Sequence, residues 1–428
     1  MNNNLQSLIV KLRSGELDLL AYLDWLEAHF VEREPELLAF VPENGRFQRL
    51  RRDAEALLHQ YPRSENRPPL FGIPLAVKDI FHVDGFQTHA GSTLPVETLK
   101  GPESPVITEL KRAGALILGK SVTTEFAYFG PGPTRNPHHP DHTPGGSSSG
   151  SAAAVGAQLS PLALGTQTIG SINRPAAFCG VVGYKPSYDR ISKAGVIPLS
   201  PSLDHVGFFT PNMAGVDVVA ELLCQNWHLV FTNRRPVLGI PDSPYLLRAQ
   251  PEGLTHFMQT ADRLVAAGFT VKSVKVMPDF DAIYQRHQLI VAAEAARVHA
   301  HWFALYGERY HPKTVELIER GQAVTDEVLM KAQHGRFQLR DELSRIMNVQ
   351  GIDLWIAPPA TGPAPAGLES TGDPVMNLPW THAGLPTITL PVDKNEKGLP
   401  LGLQVIGRWY QDEALIAWCH DLETVLAA

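Results

Sequence analysis

Cysteine is scarce in this chain, with three in 428 residues. Cys179, Cys224 and Cys419 are an odd number without metal-ligand spacing, so neither a disulfide framework nor a structural metal is expected to organise the fold. A reducing, cytoplasmic setting follows from that reading. Positive charge is also in short supply. Lys and Arg total 37 against 44 Asp and Glu, a formal net charge of −7, which removes the basic footprint of a nucleic-acid or anionic-membrane binder. No uncharged apolar run approaches the length of about 18 residues that marks a membrane-spanning helix. The N-terminal stretch "MNNNLQSLIVKLRSGELDLLAYLDWLEAHF" mixes charges with helically spaced apolar residues, which predicts an amphipathic helix and not a signal peptide. Nucleic acid, membrane, metal and other cofactors are therefore not expected among the partners.

What is present is ordinary for a protein with a substantial core: 44% hydrophobic and 19% charged residues. "SPVITELKRAGALILG" (104–119) predicts a capped helix with Val106, Ile107 and Leu110 on one side, a stop at Gly114 and a short strand. Residues 237–276 repeat the pattern, with strand "VLGI", helix "EGLTHFMQTADRLVAAG" and strand "FTVKSVKV". "TITLPV", the turn-rich "DKNEKG" and "LPLGLQVIG" predict an antiparallel hairpin, and "DEALIAWCHDLETVLAA" a last helix. Together these give an α/β protein with a mixed sheet flanked by helices. "PPATGPAPAGLESTGDP" (358–374) suits either a linker or an ordered loop.

Three motif matches fail on their flanks. "GALILGKS" (114–121) fits the phosphate-loop pattern, but a helix precedes it and "ALIL" is itself the strand, so it cannot wrap its amides around phosphates. "GSSSG" (146–150) fits the nucleophile elbow of α/β-hydrolases, with Asp204 and His205 downstream, yet it follows a proline-rich polar segment and not a buried strand. "HHPDH", with His138, His139, Asp141 and His142, lacks ligand spacing and reads as a surface loop.

One constellation remains. "TPGGSSSGSAAAVGAQLSPLALGTQTIGSINRPAAFCG" (143–180) places a Gly/Ser loop, an alanine-rich helix and a second Gly/Ser loop in succession, a composition that a flexible linker beside a close-packed helix would also produce. Upstream, "FGIPLAVKDIF" sets Lys78 among Ile73, Leu75, Ala76, Val77 and Ile80, and lysine is rarely buried without a role. Taken alone, Ser147 reads as a helix cap, Ser171 as a turn residue and Lys78 as half of an ion pair with Asp79 or another acid.

Taken in order, "GIPLAVKDI", "PGGSSSGSAAAV", "LGTQTIGS", "RPAAFCGVVGYKPS", "GLPTITLP" and "GLPLGLQVIG" resemble the amidase signature family, and within it the malonamidase-like small bacterial amidases that share "TQT" and "STGDP". The resemblance covers about 66–215 and 354–428 and is weak over about 216–356. It implies one domain over 1–428 with the amidase signature fold, and a cofactor-free serine hydrolase acting through an acyl-enzyme. The substrate it implies is a small or aryl amide, with a carbamate as the alternative, or a role as an amidotransferase-type subunit. By motif, Lys78 falls on the family's catalytic lysine, Ser147 on its cis-serine and Ser171 on its nucleophile, 171 − 147 = 24 residues apart. A serine hydroxyl needs a base and lysine serves only when neutral, which its apolar neighbours favour. Backbone amides of Thr168, Ile169, Gly170 and Ser171 would form the oxyanion hole. Thr166 would orient Ser147. Arg174 matches a subgroup arginine that contacts a substrate carboxylate, with an internal ion pair as its other reading. Gln167, Tyr128, Phe129, Asn377, Trp380 and Thr381 would wall the pocket. A homodimer resembles the subgroup. Two departures stand out: Ile169 replaces a glycine, so either its φ is negative or the loop is strained, and Asn173 replaces the family's usual residue.

Overall fold

The alternation of apolar strands with amphipathic helices resolves, in the computed structural model, into one ten-stranded sheet covered by helices; residues 4–427 are described. The strands are β1 (Pro74–Lys78), β2 (Leu116–Ser121), β3 (Leu162–Gln167), β4 (Val182–Lys185), β5 (His205–Thr210), β6 (Val237–Asp242), β7 (Thr270–Lys275), β8 (Leu354–Ala357), β9 (Thr387–Lys394) and β10 (Pro400–Ile406). The helices are α1 (Leu5–Ser14), α2 (Leu19–Leu37), α3 (Arg46–Gln60), α4 (Pro105–Arg112), α5 (Ser149–Gly156), α6 (Asn173–Cys179), α7 (Met213–Leu223), α8 (Pro251–Ala266), α9 (Phe280–Tyr306), α10 (Pro312–Gln322), α11 (Asp326–Gln350), α12 (Leu378–Ala383) and α13 (Asp412–Leu426).

The strand order β2-β1-β3-β5-β4-β9-β10-β8-β6-β7 divides by direction. β2, β1 and β3 form a parallel wing, β8, β6 and β7 form another, and antiparallel pairings join them through β5, β4, β9 and β10. β1 and β3 are buried at every position, whereas β7 at the edge of the other wing is largely exposed. The weakly matched region supplies β6, β7 and most of β8, so it is built into the same sheet and the fold is a single domain.

The N-terminal segment differs from the single helix its spacing predicts. Two helices form, because Gly15 ends α1 at φ 81° and the Asp18 side chain accepts from Ala21 N to cap α2. Residues 1–3 of that predicted helix, and residue 428 of the domain, lie outside the described residues. Gly119, Lys120 and Ser121 lie inside β2, which removes the phosphate-loop reading; Lys120 is buried 2.7 Å from Asp79 and donates to the Phe81 carbonyl. Segment 358–374 is an ordered loop that reaches the site described next.

Two short helices point at one place. α5 begins just after Ser147 and α6 just after Ser171. The small residues of α5 permit its depth. A Cβ on Gly150 would run into the Ala39 carbonyl and lie 2.5 Å from Val122 N, so only glycine lets this helix approach β2 so closely.

Candidate active site

β1 ends on Lys78, which is completely buried. Its Nζ lies 2.8 Å from Ser147 Oγ and 2.7 Å from Thr166 Oγ1. Neither neighbour is charged. Burial therefore holds the Lys78 amine far below the ordinary lysine range, and the nearby Asp204 carboxylate only partly opposes this. A neutral amine keeps two N–H groups and one lone pair, so it can donate to Thr166 while accepting a proton from Ser147. The peptide bond between Gly146 and Ser147 is cis, as the resemblance implies. Thr166 was expected to orient Ser147; its hydroxyl meets Lys78 instead and positions the amine.

Ser171 lies between the end of β3 and the start of α6. Ser147, Thr168, Ile169, Ser171 and Arg174 line one cleft, whose free volume of about 10 Å³ is close to that of a single water site. Among the described residues Ser171 Oγ has no hydrogen-bond partner, and the amides of Ile169, Gly170 and Ser171 have none either. A hydroxyl and a run of unengaged N–H groups thus lie together on the short loop that borders the cleft, the groups that attack on a carbonyl requires.

Side chains behind the loop hold it in shape. Gln167 Oε1 accepts from the amides of Ile172 and Asn173, and its Nε2 donates to Thr381 Oγ1, which in turn donates to the Ile169 carbonyl. Ile169 keeps a negative φ, so the β-branched residue sits in the loop without the conformational strain that its replacement of a glycine raised. Asn173 bridges α6 to β9, donating to Thr389 Oγ1 and accepting from Thr387 Oγ1. Asn377 donates to the Pro359 carbonyl and to Gln404 Oε1, and Trp380 donates to the Tyr245 hydroxyl at 3.1 Å. Gln167, Asn377, Trp380 and Thr381 do not line the cleft: Gln167 and Thr381 use their polar atoms to brace the 168–173 loop, whereas those of Asn377 and Trp380 are taken by Pro359, Gln404 and Tyr245.

Tyr128 and Phe129 do line the cleft, with ring centroids 4.6 Å apart. Arg174 lines it too, but most of its guanidinium is engaged: Nη1 donates to the Gly372 carbonyl, and Nη2 to the Gly146 carbonyl and Thr371 Oγ1. Burial pulls its pKa down to about 10, which leaves it charged near neutral pH. Among the described residues it has no ion-pair partner within contact, and it ties the Ser147 loop to segment 371–372.

Sequence reasoning dismissed one residue of consequence. Asp204 accepts from Thr168 Oγ1 at 2.6 Å and from the amides of Leu199 and Ser200 at 2.9 Å each, and so anchors the start of the nucleophile loop. Burial raises its carboxyl to about 6. Leu199 and Pro374 complete the cleft. Among the described residues no group of three His, Cys, Asp or Glu is placed to hold a metal ion.

The Amidase family model matches residues 44–416. A glutamyl-tRNA(Gln) amidotransferase subunit of Synechococcus sp. (strain WH7803) is 30% identical, over 96% of this chain and 95% of that one. A crystal structure of an amidase superposes with a TM-score of 0.89 at 32% identity, covering 98% of this chain and 99% of its own. A peptide amidase bound to the competitive inhibitor chymostatin gives a TM-score of 0.85 at 26% identity, over 99% and 98% of the two chains.

Proposed function

The chain belongs to the amidase family, whose chemistry is hydrolysis of the amide carbon–nitrogen bond, and from that premise we propose that it cleaves a small or aryl amide through an acyl-enzyme on Ser171. Ser171 Oγ attacks the carbonyl carbon. Its proton passes to Ser147 Oγ, whose own proton passes to Lys78 Nζ. The amides of Thr168, Ile169, Gly170 and Ser171 receive the oxyanion, each donor contributing roughly 3–4 kcal/mol by comparison with serine hydrolases in general. The tetrahedral intermediate collapses as the C–N bond breaks, and the proton held on Lys78 returns through Ser147 to the leaving amine. Water then repeats the sequence, splitting the ester to a carboxylic acid and restoring Ser171.

One observation carries this reading: a fully buried amine 2.8 Å from a serine hydroxyl, with no acid in contact among the described residues. At an unperturbed pKa near 10.4, only about one lysine in 2,500 is neutral at pH 7, too few for an efficient base. Desolvation of Lys78 raises that fraction. A carbamate would be cleaved by the same steps. The amidotransferase-type reading is favoured by the name of the relatives at 30% identity; it would make this chain one component of a larger assembly that draws ammonia from glutamine.

The test is a panel of acetamide, benzamide, acetanilide, an aryl carbamate and glutamine, with Ser171→Ala as the blank and kcat/KM followed against pH. At least one amide should turn over in the wild type and none in the blank. Because only the neutral amine serves as base, the rate should climb with pH through the depressed pKa of Lys78 and level off well below the ordinary lysine value of 10.5. Turnover in the blank, or a limb near 10.5, would overturn the proposal. Glutamine turnover that requires companion proteins would favour the amidotransferase reading.

A further inference from the structure

Three spaces adjoin the nucleophile loop, and they differ in character. Outside the cleft is an open vestibule of about 480 Å³ whose walls include Tyr284, Gln288, Lys313, Glu316, Arg320 and Asp373. The cleft itself has room for about one water. On the far side of Thr168 and Leu199 is a more enclosed chamber of about 230 Å³. Tyr128, Phe129 and Pro374 are common to vestibule and cleft; Ala127, Thr168 and Leu199 are common to cleft and chamber.

The chamber walls are mainly apolar: Ile80, Val196, Ile197, Pro198, Leu199 and Val206. Two charged residues border it, and both are occupied. Asp204 is deep in the fold, and three donors already use its carboxylate. Lys193 lies 2.7 Å from Asp189 and donates to the Pro201 carbonyl. His205 borders the chamber too, with Nδ1 on the Leu203 carbonyl and Nε2 buried and unpartnered among the described residues, so a polar group entering would find that one free atom and little else to replace its water, whereas an apolar one would lose nothing. The volume is also informative, since a dry apolar cavity of roughly 150 Å³ is enough to hold benzene.

We propose that the chamber receives a compact apolar group of the substrate, an aromatic ring or a branched alkyl group, when the scissile bond lies at Ser171. This rests on the amidase reading and names the substrate class for that site. The cleft is too small for such a group and the vestibule mixes Tyr128, Phe129 and Tyr284 with charged side chains, so the chamber, which meets the cleft at Ala127, Thr168 and Leu199, is the more apolar of the two larger spaces. Leu199 borders both spaces and its amide is held by the Asp204 carboxylate, so entry of the group requires the Leu199 side chain to change rotamer while its backbone stays in place. The ring can belong to the acyl group or to the leaving amine, and benzamide and acetanilide separate these.

Val196→Trp fills the chamber from a wall that touches neither Ser147 nor Ser171. It should lower kcat/KM for the preferred aryl amide, relative to acetamide, by about tenfold or more, the scale on which lost pocket volume discriminates substrates. Leu199→Ala, which widens the passage, should raise the same ratio for 1-naphthamide. An unchanged ratio in folded variants overturns the proposal. Should Val196→Trp fail to fold, Ser171→Ala crystals soaked with benzamide or acetanilide decide the matter: a ring in the chamber supports it, while a ring beside Tyr284 and Arg320, or no ring at all, overturns it. Wild-type enzyme silent toward every amide would count against the amidase reading, and the position of the ring in those crystals would still test the chamber.

Discussion

Gly170 and Ile169 are neighbours in the nucleophile loop under opposite constraints. A Cβ at 170 would overlap Asn377 Oδ1 and lie 2.9 Å from Pro374 Cβ, and Asn377 is pinned by the Pro359 carbonyl and Gln404. Gly170→Ala must therefore push the loop off its position, and a displacement near 1 Å in such a site costs on the order of 100-fold in rate. Ile169 has a negative φ and offers the hole only its amide, so Ile169→Gly should hold kcat within about tenfold. Steady-state kinetics on the two variants check this, and the reverse ranking would mean that the loop is wrongly placed. Lys78 was visible in the sequence because a cation inside an apolar strand run is conspicuous. Asp204 was not, since its importance depends on three donors contributed by residues 168, 199 and 200, which only the fold gathers. Arg174 shows the same limit from the other side: two of its three partners are backbone carbonyls, which carry no sequence signal.

At the scale of elements, α13 is fastened to the sheet by its first residue. Asp412 accepts from the Tyr184 hydroxyl at 2.7 Å, from Ser187 N at 2.8 Å and from Ser187 Oγ at 2.6 Å, with Arg190 3.5 Å away. All of this is buried. Asp412→Ala takes the acceptor away from the Tyr184 hydroxyl and from both Ser187 donors, while Arg190 keeps its pair with Glu413, and leaving buried donors unsatisfied in this way costs about 1–3 kcal/mol each. Urea unfolding should show that loss, and a change under about 1 kcal/mol would mean that water replaces the carboxylate. The βα steps, the C-terminal hairpin and α13 were legible because each is a local pattern of period or turn chemistry. The break between α1 and α2 was also written locally, in Gly15 and the Asp18 cap, but the apolar spacing on either side masked it. The strand order was not legible, because β9 pairs with β4 and β8 with β6 across long sequence separations.

Across the whole molecule, the two parallel wings carry different duties. The β2-β1-β3 wing delivers Lys78 and the nucleophile loop, and α5 and α6 deliver the serines between it and the centre of the sheet. Residues 216–356 contribute nothing to the cleft but supply Tyr284, Gln288, Lys313, Glu316 and Arg320 to the vestibule. The residues of the proposed reaction thus fall where the chain resembles its family and the approach to them where the resemblance fades, so the sequence carries a proposal for the chemistry and little for the substrate. The central claim is that Ser171 is the nucleophile and that neutral Lys78 activates it through Ser147. Labelling with a fluorophosphonate, followed by peptide mass spectrometry, tests this most directly. The account predicts a single adduct on Ser171 and a labelling rate at least about 100-fold lower in Lys78→Ala, the lower range for loss of a general base; an adduct on Ser147, or undiminished labelling without Lys78, would contradict it.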